Sequence, residues 1–154
     1  MDENALTPLH PNYIKLVRLV TGLFASAAII VALVLEYRGG LPHGALLVPV
    51  ALPGLWLIVR TPLRRYRARG YHRGADRLRV VSGLIFNSDT VVPFSRVQHI
   101  DVLQGPLERA FGLGTLVLHT AGSHNASVAL PGLWHDDAKA MREEIRAHVK
   151  RETM

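Results

Sequence analysis

Residues 41–73 read LPHGALLVPVALPGLWLIVRTPLRRYRARGYHR: a run of 19 residues without a formal charge, then six arginines in the next 14. A run of that length, rising about 1.5 Å per residue, spans a hydrocarbon layer of roughly 30 Å. Arginines placed directly after it mark the side of the membrane that faces the cytoplasm. Residues 1–59 balance Lys15, Arg18 and Arg38 against Asp2, Glu3 and Glu36, and residues 74–154 carry nine basic and nine acidic side chains. Arg60, Arg64, Arg65, Arg67, Arg69 and Arg73 therefore account for the whole net charge of +6. Spread over a folded face, such an excess would suggest a nucleic-acid partner; gathered beside an apolar run it does not, and none is expected.

Towards the N-terminus, residues 19–35 (LVTGLFASAAIIVALVL) form a second uncharged run, and only EYRGG at 36–40 separates the two. Five residues with a Gly-Gly pair suit a tight reversal, so the expected unit is a transmembrane hairpin at 19–59 with spans near 19–35 and 41–59. Soluble core helices keep a polar face, and neither run has one. Acidic residues open the chain and no small-x-small site precedes Glu36, which argues against a cleaved signal peptide. Lys15 and Arg18 precede the first span, whereas the loop holds only Arg38 beside Glu36. Both termini are thus expected in the cytoplasm, with residues 1–18 as an N-terminal tail and the protein in a bacterial inner membrane. Pro49 and Pro53 would bend the second span, and Trp56 and Tyr66 would mark the interface.

Towards the C-terminus, a basic juxtamembrane segment at 60–73 leads into a polar domain at 74–154, roughly 80 residues, small but able to fold alone. The pattern there changes to short runs of Val, Leu, Ile and Phe punctuated by turn residues, which predicts strands at 77–82, 83–87, 89–93, 97–103, 114–121 and 126–131. A helix starting near Trp134 closes the chain. Asp136 and Asp137 cap it, and Ala138, Met141, Ile145 and Val149 form one apolar stripe. Antiparallel strands closed by a terminal amphipathic helix give an α+β or small open-barrel module.

Residues 91–122, VVPFSRVQHIDVLQGPLERAFGLGTLVLHTAG, carry Pro93, Ser95, Arg96 and Val97, then Gln104, Gly105, Pro106 and Leu107, then Phe111 and Gly112, and finally Thr120, Ala121 and Gly122. In order and spacing these resemble the signature of the bacterial PH-like domain of YdbS-like membrane proteins. The resemblance covers about half of the chain. It implies a split PH-type barrel of antiparallel strands capped by the C-terminal helix, with the first strand curtailed or beginning inside the arginine segment near Tyr71. Most of the signature reads as fold-setting. Pro93 ends a strand where no ladder donor is required, Gly105-Pro106 turns the chain into one helical turn, and Gly112 lets the backbone re-enter a strand.

Chemistry is sparse. Without cysteine there is no disulfide, thiolate nucleophile or Cys-ligated zinc. No serine occupies a G-x-S-x-G elbow and no glycine-rich loop leads to a lysine-bearing helix, so no catalytic or cofactor-binding residue is assigned and no cofactor is expected. His99 and Asp101, two apart on one strand, share a face, and His119, His124, His135, Asp136 and Asp137 add potential ligands. Their spacing fits no zinc motif, and polar residues at alternate strand positions usually face solvent. Arg77 and Arg79 alternate on a strand in the manner of a head-group site, and the arginines of 60–73 would each contribute on the order of 1 kcal/mol beside an anionic leaflet. The expectation is a non-enzymatic, membrane-anchored module whose partners are the lipid bilayer and another membrane or cytoplasmic protein or a second copy of itself. An anionic-lipid sensor is the first alternative, and a metal-dependent membrane enzyme using His99, Asp101 and His119 the second.

Overall fold

A computed structural model describes residues 6–40, 42–84, 87–121 and 127–152. In chain order the elements are β1 (Thr7–Pro8), α1 (Asn12–Gly39), α2 (Leu47–Arg67), β2 (Gly70–Arg73), β3 (Arg77–Ser82), β4 (Ser88–Pro93) and a 3-10 turn (Phe94–Arg96). They continue with β5 (Val97–Leu103), α3 (Pro106–Ala110), β6 (Leu113–Thr120), β7 (Ser127–Trp134) and α4 (His135–Glu152). The chain forms two compact units, the hairpin Ile14–Arg64 and a domain made of the residues up to Tyr13 together with those from Arg65 onward.

The hairpin helices have 28 and 21 residues with peak mean hydropathies of 2.3 and 1.2, and only 11% of each apolar window is buried. That low burial separates them from the core helices of a soluble protein. Phe24, Ile30, Leu52 and Leu55 project outward with no protein to cover them, an arrangement stable only in lipid. α1 overruns its expected span at both ends, persisting to Gly39, whereas α2 is displaced towards the C-terminus, starting at Leu47 and ending at Arg67. Glu36 explains the displaced reversal. It lies in the last turn of α1, and its carboxylate accepts hydrogen bonds from the amides of Gly44, Leu46 and Leu47. These donors at the start of α2 would otherwise be orphaned. Pro49 falls in the first turn of α2, where its missing amide costs nothing, while Pro53 and Pro62 interrupt the interior ladder.

In the domain, β1, β2, β3 and β4 form one antiparallel sheet in that order and β5, β6 and β7 a second. No hydrogen-bonded ladder joins the two sheets among the described residues, so barrel closure is not detected. Burial alternates along β3, with Leu78 and Val80 inward, and β6 contributes Leu113, Leu116 and Leu118. Helix α4 packs on the three-stranded sheet through the expected stripe, with Ala138, Met141 and Ile145 buried and Val149 half-buried. Burying Met141 and Ile145 stabilises by roughly 1.5–3 kcal/mol each.

The strand expected at 83–87 has no ladder among the described residues, since Ser82 pairs with Ser88 and the chain reverses between them. Gly83, Leu84 and Asn87 lie in that turn, and 85–86 are outside the described residues. The strand that the resemblance placed inside the arginine segment near Tyr71 forms as β2, and one strand absent from the sequence-predicted set, β1, pairs with it as Thr7 to Tyr71 and Pro8 to Gly70.

The residues read as an N-terminal tail are therefore partly domain. Leu9 is 2% exposed, the His10 amide donates to the Gly132 carbonyl at 2.8 Å, and the Asn12 side-chain amide donates to the Phe111 carbonyl at 3.1 Å. Tyr13 is buried against Gly132, whose φ of +76° only glycine adopts without strain. The Arg69 guanidinium donates to the Tyr13 hydroxyl.

Candidate functional site

The eight arginines picked out as head-group contacts separate into two sets. Arg60, Arg64, Arg65 and Arg67 lie on the last turns of α2 and are exposed, with the Arg64 guanidinium 5.9 Å from the ring centre of Trp56. The other four are held within the domain. Arg69 binds Tyr13, Arg73 pairs with Glu144 of α4 at 2.6 Å, and Arg77 pairs with its neighbour Asp76 at 2.9 Å. Arg79 grips Asp89 across the β3–β4 ladder through both Nε and a terminal nitrogen, at 2.9 and 2.6 Å.

These pairs shape the local electrostatics. The hydrogen bond from Arg79 holds the Asp89 carboxyl below its ordinary value and raises Arg79 in turn, and the Arg77 side chain likewise lowers Asp76. Burial pushes the Tyr71 hydroxyl up. Exposed pairs such as Arg73 with Glu144 stabilise by about 0–1 kcal/mol, so their main effect is to occupy the cation. Nothing in the sequence ties Arg73 to Glu144, 71 residues away, or Arg69 to Tyr13.

The strand pairing brings His99, Asp101 and His119 together. His99 faces His119 across the β5–β6 ladder, and Asp101 lies between them, with Oδ1 2.8 Å from His99 Nε2 and Oδ2 3.3 Å from His119 Nε2. The three side chains satisfy one another. Among the described residues no group of three or more His, Cys, Asp or Glu is arranged to hold a metal ion. His124 lies outside the described residues. His135 opens α4 with its Nδ1 buried and without a hydrogen-bond partner among the described residues, and Asp136 and Asp137 occupy the first turn, where acidic charge suits the helix N-terminus.

The signature residues form a brace around α3. The Gln104 amide donates to the Leu113 carbonyl at 2.8 Å, and Pro106 opens the helix. Glu108, absent from the sequence-derived set, is central. One carboxylate oxygen accepts the Gly105 amide at 2.8 Å and the other the Thr115 hydroxyl at 2.7 Å, which ties the loop to β6. Gly112 has a φ of +69°, and a Cβ there would meet the Trp134 ring. Pro93 ends β4, Ser95 and Arg96 sit in the 3-10 turn, the Arg96 carbonyl accepts the Ala121 amide, and Thr120 ends β6. Gly122 lies outside the described residues.

Beside the imidazole pair, β5 and α4 enclose a groove of about 670 Å³. One wall carries Gln98, His99 and Asp101, the other Arg142, Arg146 and Lys150, three cations four residues apart on one helix face. The ladder register shifts between Val97 and His99, so Gln98 is the extra residue of a β-bulge.

A profile of the bacterial PH domain matches residues 15–149. The UPF0699 transmembrane protein YdbS of Bacillus subtilis (strain 168) is 23% identical over 151 residues, covering 94% of this chain and 93% of that protein. No solved structure matches at a significant level. The two outward-facing apolar helices, the seven antiparallel strands with their closing helix, and a profile match that runs through both units lead to one conclusion: this transmembrane, YdbS-like chain belongs to the bacterial PH domain family.

Proposed function

We propose that this chain is a non-enzymatic module that presents a PH-type domain at the cytoplasmic face of a bacterial inner membrane, where the domain engages another protein or a second copy of itself. One observation carries the reading: the arginines nearest the domain surface, Arg69, Arg73, Arg77 and Arg79, are engaged by Tyr13, Glu144, Asp76 and Asp89. A head-group site built on them would have to break those pairs first. The assigned orientation is supported by Lys15 and Arg18 at the start of α1 and Arg60, Arg64, Arg65 and Arg67 at the end of α2, against Arg38 alone near the reversal.

The exposure of Arg60, Arg65 and Arg67 favours a second reading, an anionic-lipid sensor at the end of α2. Photo-crosslinking in intact membranes, from probes distributed over the exposed faces of the domain, tests the first. It should yield a discrete adduct that survives replacement of Arg60, Arg65 and Arg67 by glutamine. Uncrosslinked monomer from every position rejects the protein-interaction reading, and loss of the adduct in the glutamine variant transfers support to the lipid reading.

A further inference from the structure

Among the described residues the domain exposes six large apolar side chains, Leu6, Leu84, Val91, Leu103, Leu107 and Trp134. Val91 lies within β4, whereas the other five gather near the residues through which the chain leaves for α1 and returns from α2. At the departure, the Asn12 amide is bonded to the Phe111 carbonyl just after α3, and the His10 ring lies 5.0 Å from that of Trp134. Trp134 also covers Gly112, and Leu107 is one helical turn before Phe111, whose amide donates to the Leu107 carbonyl. Leu103 pairs with Thr115 and Trp134 with Leu113, two apart on β6, so both stand on the same face of the sheet. At the return, a Cβ on Gly70 would meet Leu6, and Gly83, next to Leu84, lines a cavity with Tyr66 and Arg67.

Chain length limits how far this end can stand from lipid. α1 is continuous from Asn12, and Leu19, the first residue of the uncharged run, is seven residues on, about 10 Å of helix. The polar layer of a bilayer extends roughly 5–8 Å beyond the hydrocarbon on each side. Side chains packed around Asn12 therefore come within a side-chain length of the head groups, the depth at which the amphipathic ring of tryptophan is favoured. Charge agrees. Glu108, the one acidic side chain of α3, is turned in to Gly105 and Thr115, while exposed Arg109 carries no ion pair among the described residues. Asp136, two residues after Trp134, lies 3.9 Å from Lys139. We propose that the α3 end of the domain rests on the bilayer, with Leu107 and Trp134 inserted among phospholipid head groups and Arg109 against lipid phosphate. Apolar area drives the insertion, which needs no anionic lipid and so differs from a sensor built on the arginines of α2. The faces away from α3 stay open to a protein partner.

The test uses the full chain in a Trp56→Phe background, where Trp134 is the sole tryptophan, reconstituted singly in phosphatidylcholine nanodiscs with or without bromine on the upper acyl chains. Bromine quenches a tryptophan in contact with it. The expected result is loss of most Trp134 emission in brominated discs, with little further loss when iodide is added to the water. Leu107→Asp, at an exposed position, should weaken the bromine quenching about twofold or more, because an ionised carboxylate resists leaving water. The chain has no cysteine, so Leu107→Cys and Val91→Cys each carry one polarity-sensitive fluorophore, at sites 40% and 49% exposed. Emission should shift to the blue in the disc from the first and stay at its aqueous position from the second. A Trp134 open to iodide and untouched by bromine overturns the proposal. Protection from both quenchers also overturns it and marks protein cover over the patch, and bromine quenching that requires added anionic lipid assigns the contact to the arginines of α2 instead. Crosslinks from faces away from α3 are independent of these outcomes, so the protein-interaction reading stands or falls separately.

Discussion

Gly132→Ala tests whether the residues up to Tyr13 are an integral part of the domain. Gly132 has a φ of +76°, and a Cβ there would lie 2.8 and 2.9 Å from Cδ2 and Cγ of Tyr13 and 3.2 Å from its Cβ. The atoms met include the root of the side chain, so Tyr13 cannot escape by changing rotamer. The left-handed backbone costs an alanine about 1–2 kcal/mol, and overpacking a buried contact a further ~1–3 kcal/mol. A loss of about 2–5 kcal/mol is a large share of the roughly 5–15 kcal/mol of a typical domain. The assay is denaturant unfolding of the full chain in micelles, followed by Trp134 fluorescence in a Trp56→Phe background, which leaves one tryptophan. Pairing Gly132→Ala with Tyr13→Ala isolates the contact. In the Tyr13→Ala background the glycine substitution should cost only its backbone part, about 1–2 kcal/mol. If the two substitutions prove additive, Tyr13 does not sit on β7 and the N-terminal residues are a tail after all.

Two further outcomes follow from single pairs. Glu36→Ala removes the acceptor for the Gly44, Leu46 and Leu47 amides, so hydrogen exchange at those amides should accelerate by about an order of magnitude or more, as for a lost helix cap of about 1–2 kcal/mol; unchanged protection contradicts the capping role. Asp89 titrates below its unfolded value of 3.8 because Arg79 hydrogen-bonds its charged form. The stability it contributes is therefore complete above that value and lost as pH falls through the lowered one. Asp89→Asn should lower the neutral plateau slightly and flatten the acid limb of the stability profile in that window, and an unchanged acid limb rejects the linkage.

Much of the architecture was legible because it is written in local pattern. Nineteen uncharged residues followed by arginines state a membrane span and its boundary without reference to any partner. The stripe Ala138, Met141, Ile145 and the acidic start of α4 were readable for the same reason, since helix periodicity and capping act within a few residues. The strand expected at 83–87 rested on apolar composition, which is a weaker signal than pairing. Ser82 meets Ser88, and Leu84 between them joins no ladder.

Sequence alone determined the class of this protein: a charged boundary after two apolar runs, a strand-rich domain closed by a helix, and a punctuated signature shared with the bacterial PH domain family. Only the tertiary structure decided which side chains remain available. Arg73 and Arg79 look alike in the chain as candidate lipid contacts, yet each is claimed by a carboxylate brought near by folding, Glu144 on α4 and Asp89 on β4. Thr7 precedes a membrane helix and Tyr13 lies in its first turn, yet strand pairing and a glycine hollow return them to the domain. The physical reason is common to all of these. A local pattern sets how a segment folds, whereas the partner of a charge or the cover of a ring depends on residues tens of positions away that meet only when the sheets and α4 close around one core.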